Sequence, residues 1–148
     1  MIDKKMHFSV AKIKREIFVL NSLINRLDNA ILSRCDISVQ QAKIICLLVI
    51  STHDEIYQKD VDYFLGVTHA TSHGLIKRME EKGLISTSRC ANDKRAKTLF
   101  LTQKGRSIYE SFANDFFEAE NKLTKGIDQD SLKQFYKTLA KMISNMKE

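Results

Sequence analysis

The sequence predicts a mainly α-helical chain with one small β-hairpin set between long helices at either end. Proline is absent from all 148 residues, so nothing blocks long helices anywhere in the chain. Near both ends, apolar residues repeat at alternating spacings of three and four, the seam of an amphipathic helix that packs lengthwise on another. Between those ends, two strand-like segments flank the polar hexapeptide 91–96, directly after two helices joined by a glycine turn.

From Phe8 to Arg34, Val10, Ile13, Ile17, Leu20, Ile24, Leu27 and Ile31 keep the three–four spacing, which predicts a long first helix. Asp36-Ile37-Ser38 breaks the pattern, and Ser38 with Gln41 forms a capping box opening a second helix over 38–53. Its apolar stripe runs through Ile44, Leu47 and Leu48, and His53-Asp54-Glu55 is a polar stop. A short third helix over 58–65 turns Val61, Phe64 and Leu65 inward, and Gly66 supplies the left-handed residue that closes it. Thr68 caps a fourth helix running to Lys82, with Leu75, Ile76 and Met79 apolar and Gly83 at its end.

Residues 84–90 and 97–102 then form a two-stranded hairpin with a charged tip. A helix-turn-helix followed by such a hairpin is a winged arrangement: the helix suits a major groove, and the wing reaches the backbone or the minor groove. Thr102 opens a fifth helix over 103–125, with Ile108, Phe112, Phe116, Ala119 and Leu123 inward. After Gly126, Asp128 and Ser131 start a last helix in which Leu132, Phe135, Leu139, Met142 and Met146 repeat the three–four spacing. The expected organisation is a winged helix-turn-helix region over 36–106, with the helix-turn-helix at 58–82 and the wing at 84–102. Residues 1–35 and 107–148 form a helical dimerisation bundle around it.

The charge is concentrated. The whole chain carries +6, and residues 68–106 alone hold nine basic and three acidic side chains, so the rest is neutral. That is the footprint of an element that binds a polyanion. The longest apolar run, Ile44–Ile50, falls far short of the roughly 18 residues that span a bilayer. No signal-peptide pattern opens the sequence, so no membrane role and a cytoplasmic location are expected. Cys35, Cys46 and Cys90 form no Cys-x-x-Cys, consistent with a reducing compartment.

Catalytic and metal chemistry find little support. His69 and His73 are four apart on one helix face, but no Glu follows His69 and no third ligand is near, so no metal is expected. Neither a phosphate loop nor a nucleophile elbow occurs, which argues against an enzyme and against a cofactor.

The run Gly83-Leu84-Ile85, Arg89, Asp93-Lys94-Arg95-Ala96-Lys97 and Leu99-Phe100-Leu101-Thr102-Gln103-Lys104-Gly105 resembles the signature of the multiple-antibiotic-resistance regulator (MarR) family. Length and element order match as well. The resemblance implies a homodimeric winged-helix transcription regulator, a repressor, on a pseudo-palindromic double-stranded DNA operator. Many members of the family are released by a small ligand or by oxidation. By position, Arg95 resembles the wing-tip arginine that enters the minor groove, where narrow walls concentrate negative potential. Asp93 resembles the carboxylate that orients the wing by pairing with Arg89 or Arg78, and Lys94 and Lys97 flank it.

Thr68, Ala70, Thr71, Ser72, His73, Lys77 and Arg78 fall in the family's recognition segment. Thr71 and His73 are the expected base readers, while Lys77 and Arg78 face phosphates or support the wing. Ser72 and Gly74 depart from the family pattern, standing where a small aliphatic and a larger polar residue are common. A ligand pocket lined by Ile17, Leu20 and Leu47 competes with the reading of those residues as plain core. Two alternatives stay open: a redox-sensing regulator acting through Cys35 or Cys90, and a winged-helix protein–protein module without DNA binding.

Overall fold

The computed structural model describes residues 4–51, 55–89 and 97–147. It contains α1 (Lys4–Leu32), α2 (Val39–Ile50), β1 (Ile56–Tyr57), α3 (Gln58–Leu65), α4 (His69–Glu81), β2 (Ile85–Arg89), β3 (Lys97–Leu101), α5 (Gln103–Thr124) and α6 (Gln129–Asn145). Two compact units divide the chain, residues 1–116 and 117–148.

In the first unit, local caps set the helix starts. Ser38 Oγ accepts from the Gln41 backbone N–H at 3.2 Å, and Gln41 Oε1 accepts from the Ser38 N–H at 3.1 Å, the expected capping box. Helix α2 stops at Ile50, three residues before the expected end. Its buried face is Gln41, Ala42, Ile44 and Ile45, and Leu47 and Leu48 are only half-buried. The stripe is misplaced because α2 packs against α1, α3, α4 and β3, so it is covered from several sides rather than along one.

The sheet has three strands in the order β1-β3-β2, where the sequence predicts two. Ile56 and Tyr57 pair antiparallel with Leu99 and Thr98. A two-residue strand is too short to show alternation; it forms because β3 offers a free row of backbone groups on that side. On the other side of β3, Ile85 lies opposite Leu101, Thr87 opposite Leu99 and Arg89 opposite Lys97. This register turns Ile85 and Leu99 into the core, where Ile44, Ile45, Val61, Ile76, Met79 and Leu84 are also buried.

Helix α3 has the expected bounds but buries less than expected. Val61 is fully buried, whereas Phe64 is 47% exposed and Leu65 half-buried. Two turns of helix cover only a narrow face, and Gln58 and Val61 take it. Gly66 closes α3 at φ +64°, where the Val67 N–H reaches back to the Asp62 carbonyl at 3.1 Å.

The Leu101-Thr102-x-x-Gly105 stretch has a packing explanation. Thr102 Oγ1 accepts from the Gly105 N–H at 3.0 Å and lies 2.6 Å from the Gly83 carbonyl and 2.9 Å from that of Leu84. A Cβ on Gly105 would sit 2.1 Å from the Leu84 oxygen, so only glycine lets α5 approach the start of β2 this closely. Further along α5, the buried Phe112 ring meets Tyr109 and Phe116 edge-on at 5.7 and 5.3 Å. Arg34 Nη2 bonds Asp115 Oδ2 at 2.5 Å, tying the chain after α1 to α5.

Most of the α1 seam is uncovered: Val10, Ile13, Ile17, Leu20 and Leu27 are exposed, and burial begins only at Ile31 and Leu32. In the second unit, Asp128 caps α6, accepting from the Ser131 N–H at 2.9 Å and the Ser131 hydroxyl at 2.6 Å. These bonds hold the Asp128 carboxyl below its ordinary value. Along the α6 seam Leu132, Leu139 and Met142 are half-buried, while Phe135 and Met146 are exposed. Among the described residues, no helix is long and apolar enough to cross a membrane.

Candidate nucleic-acid interface

Helix α4 has two distinct faces. Ser72, Leu75, Ile76 and Met79 are buried, and the opposite side presents His69, Ala70, Thr71, His73, Lys77 and Arg78 to solvent. The helix starts where expected: Thr68 Oγ1 accepts from the Thr71 N–H at 3.3 Å and lies 2.9 Å from the Thr71 hydroxyl. Among the described residues, Lys77 makes a loose i,i+4 contact with Glu81 at 4.0 Å. At Gly74 a Cβ would meet nothing within 4 Å, so the protein itself leaves that position open.

Ser72 corrects the sequence reading. It is fully buried, so its hydroxyl faces the protein interior and is not a surface reader. It donates to Asp62 Oδ1 on α3 in a short bond. Gln58 Nε2, at the start of α3, reaches Ser72 Oγ at 3.1 Å and the His69 carbonyl at 3.1 Å. The second Asp62 oxygen lies 2.7 Å from His69 Nδ1. This polar cluster joins the two helices of the helix-turn-helix, and satisfied polar groups at such a junction fix its geometry.

The far end of α4 is tied down as well. Thr87 Oγ1 on β2 donates to Glu80 Oε1 at 2.6 Å. The Lys82 ammonium bonds the Asp36 carbonyl and lies 3.3 Å from its carboxylate, while Lys104 Nζ donates to the Lys82 carbonyl at 2.7 Å. Asp36 itself stands at φ +50°, a conformation aspartate tolerates better than most residues.

At the base of the wing, Arg89 and Lys97 are direct cross-strand neighbours. Two like charges facing each other across a hairpin destabilise it, by about 0.2–1 kcal/mol, unless an anion lies between them. Asp93, Lys94 and Arg95, with the expected pairing of Asp93, lie outside the described residues, as does Cys90.

A cleft of about 440 Å³ opens beside α4, with Leu32, Asp36, Gln41, Leu75, Arg78 and Lys82 among its lining. This is not the pocket weighed from the sequence: Ile17 and Leu20 are exposed on α1, and Leu47 is half-buried in α2. Cys35 is half-buried with Sγ 3.5 Å from Ser111 Oγ, and Cys46 is half-buried as well. No group of three metal-ligating side chains occurs among the described residues. The residues that sequence reasoning missed are Gln58, Asp62, Glu80, Lys82 and, as more than half of a histidine pair, His69. The one available signal was Ser72 itself, a polar residue in register with Leu75, Ile76 and Met79.

Residues 36–96 match the MarR family model. The S. aureus MepR–DNA complex has a TM-score of 0.80 at 25% identity, covering 88% of this chain and 93% of that one. S. aureus MepR in its DNA-binding conformation has a TM-score of 0.85 at 25% identity, covering 90% and 98%. The transcription regulator MarR from Oenococcus oeni PSU-1 has a TM-score of 0.81 at 22% identity, covering 89% and 98%, a likeness of fold.

Proposed function

From a chain that carries the MarR family's signature on the MarR family's fold, we propose a sequence-specific, double-stranded DNA-binding transcription regulator. It acts as a homodimeric repressor on an inverted-repeat operator in the cytoplasm. One observation carries this reading: α4 turns an exposed polar face outward and is followed at once by a cationic hairpin, in a fold shared with DNA-bound MepR. A helix of this kind fits the roughly 12 Å major groove, with its N-terminal residues at the base edges. Thr68, Thr71 and His73 supply hydrogen bonds there, and Ala70 supplies apolar contact for a thymine methyl. Lys77, Arg78, Arg89, Lys94 and Lys97 neutralise phosphates, and Arg95, oriented by Asp93, enters the minor groove.

The uncovered apolar seam of α1 and the exposed side chains of α6 support a second copy of the chain as the partner. Two reading heads then meet half-sites one helical turn apart. The cleft beside α4 is lined by Leu75 and Arg78 of α4 itself, so a small effector seated there would move the reading helix directly.

Selection of bound fragments from genomic DNA, followed by a gel shift at rising salt, tests the function. Enrichment of one inverted repeat is expected, and the absence of specific binding overturns the reading in favour of a protein–protein module. Arg95→Ala is expected to weaken operator binding about tenfold or more while the dimer persists, on the scale of a lost specific contact. Unchanged affinity by fluorescence anisotropy would remove Arg95 from the interface.

A further inference from the structure

We propose that His69 reads a base edge through an unprotonated Nε2, and that Asp62, held by Ser72 and Gln58, decides which ring nitrogen carries the proton. The proposal rests on the DNA-binding function above and adds to it a specificity-determining residue with three positioning residues behind it.

Donor and acceptor counting leads to this assignment. Gln58 Nε2 has two protons and two partners at 3.1 Å, the His69 carbonyl and Ser72 Oγ. With its amide reversed, the Gln58 oxygen would face the His69 carbonyl oxygen, so the amide orientation is fixed. Ser72 Oγ therefore accepts from Gln58, and of the two acceptors in reach of its single proton, Asp62 Oδ1 and the His69 carbonyl at 3.0 Å, the carboxylate is the nearer and the charged one. The other Asp62 oxygen, 2.7 Å from His69 Nδ1, can only accept, so Nδ1 carries the hydrogen. Gln58 Nε2 also lies 3.3 Å from that nitrogen, but has no proton left for it. In the neutral ring this leaves Nε2 as a bare acceptor.

The placement suits a reader. His69 is the first residue of α4 and its side chain is 69% exposed, whereas Asp62 is mostly covered, Gln58 is 7% exposed and Ser72 is fully buried. The network that sets the proton lies inside the helix-turn-helix, and the nitrogen it controls points away from it. A bare acceptor in the major groove pairs with the exocyclic amine of adenine or cytosine. It is repelled by guanine O6 and N7 and by phosphate oxygens, which are themselves acceptors. The arrangement selects among base pairs and does not merely hold the backbone.

The test uses the full-length protein and two readouts. First, ¹⁵N NMR of the imidazole rings at mildly alkaline pH reports the His69 tautomer with no DNA present. The Nδ1–H form is expected in the wild type, and an Nε2–H form overturns the proposal outright. In Asp62→Asn, the Asn carbonyl keeps the Ser72 proton and its amide faces the ring, so His69 is expected to switch to Nε2–H. In Asp62→Ala no carboxylate or amide faces Nδ1, so a ring that stays in the Nδ1–H form there, with native circular dichroism, also overturns the proposal.

Second, selection from randomised half-sites compares wild type, His69→Ala and Asp62→Asn. His69→Ala removes an exposed ring and its bond to Asp62 but leaves the Ser72 and Gln58 bonds in place, and is expected to lose about tenfold of discrimination at one base pair per half-site. Asp62→Asn is expected to shift preference at that same pair toward guanine. If His69→Ala selects the wild-type sequence, or weakens all sequences equally as a phosphate contact would, His69 is no base reader and the proposal fails. A wild type that selects no sequence at all removes the regulator function itself, a different failure from either of these.

Discussion

At Gly105 the α5 backbone runs so close to β2 that a methyl group would sit 2.1 Å from the Leu84 carbonyl oxygen and 2.6 Å from Leu101 Cδ1. Backbone cannot yield there as a flexible side chain would. Gly105→Ala is therefore expected to destabilise the fold by about 1–3 kcal/mol or more, read as a lower urea midpoint. Ser72 shows how far such detail can be read from residues alone. Its spacing to Leu75, Ile76 and Met79 places it on the inward face, while its polarity suggests the outward one. Spacing is local geometry and prevails; the hydroxyl is tolerated inside because Asp62, ten residues earlier and on another helix, accepts its proton. The partner was the illegible part. Nothing in a linear pattern links Asp62, Gln58 and His69, since a folded turn brings them together.

At the scale of elements, helix starts were legible because caps act within three residues: Ser38 with Gln41, Thr68 with Thr71, Asp128 with Ser131. Strand β1 was not, because its two residues are defined by pairing with Leu99 and Thr98 about forty positions away. The cap on α6 also carries a pH dependence. Asp128 is held below its ordinary value, first by the Ser131 side chain and then by the Ser131 backbone. A lowered folded value means the stabilisation is present above the ordinary carboxylate range and is lost as pH falls through the folded one. Helix content is therefore expected to fall below about pH 4 with an Asp128 component. Asp128→Asn, which keeps a good cap without the charge, is expected to remove that component from the circular dichroism titration.

For the molecule as a whole, the seams found by spacing are real faces, yet the single chain leaves most of the α1 seam uncovered. Periodicity identifies an apolar stripe and is silent on whether its partner is the same chain or another. Leu20→Lys, in the middle of the exposed α1 seam, is expected to yield a monomeric mass by light scattering and to weaken operator binding, because two half-sites are no longer gripped together. The candidate site was legible as a charged window, and the part described in structure adds one tension to it. Arg89 and Lys97 oppose each other directly in the register of the hairpin. Lys97→Glu is expected to raise stability by about 0.2–1 kcal/mol in thermal melts while lowering operator affinity. The base of the wing is therefore a place where endurance and usefulness pull in opposite directions. Laboratory evolution for heat tolerance alone would drift toward an acid at this position, and its hardiest survivors would be the ones least able to hold DNA.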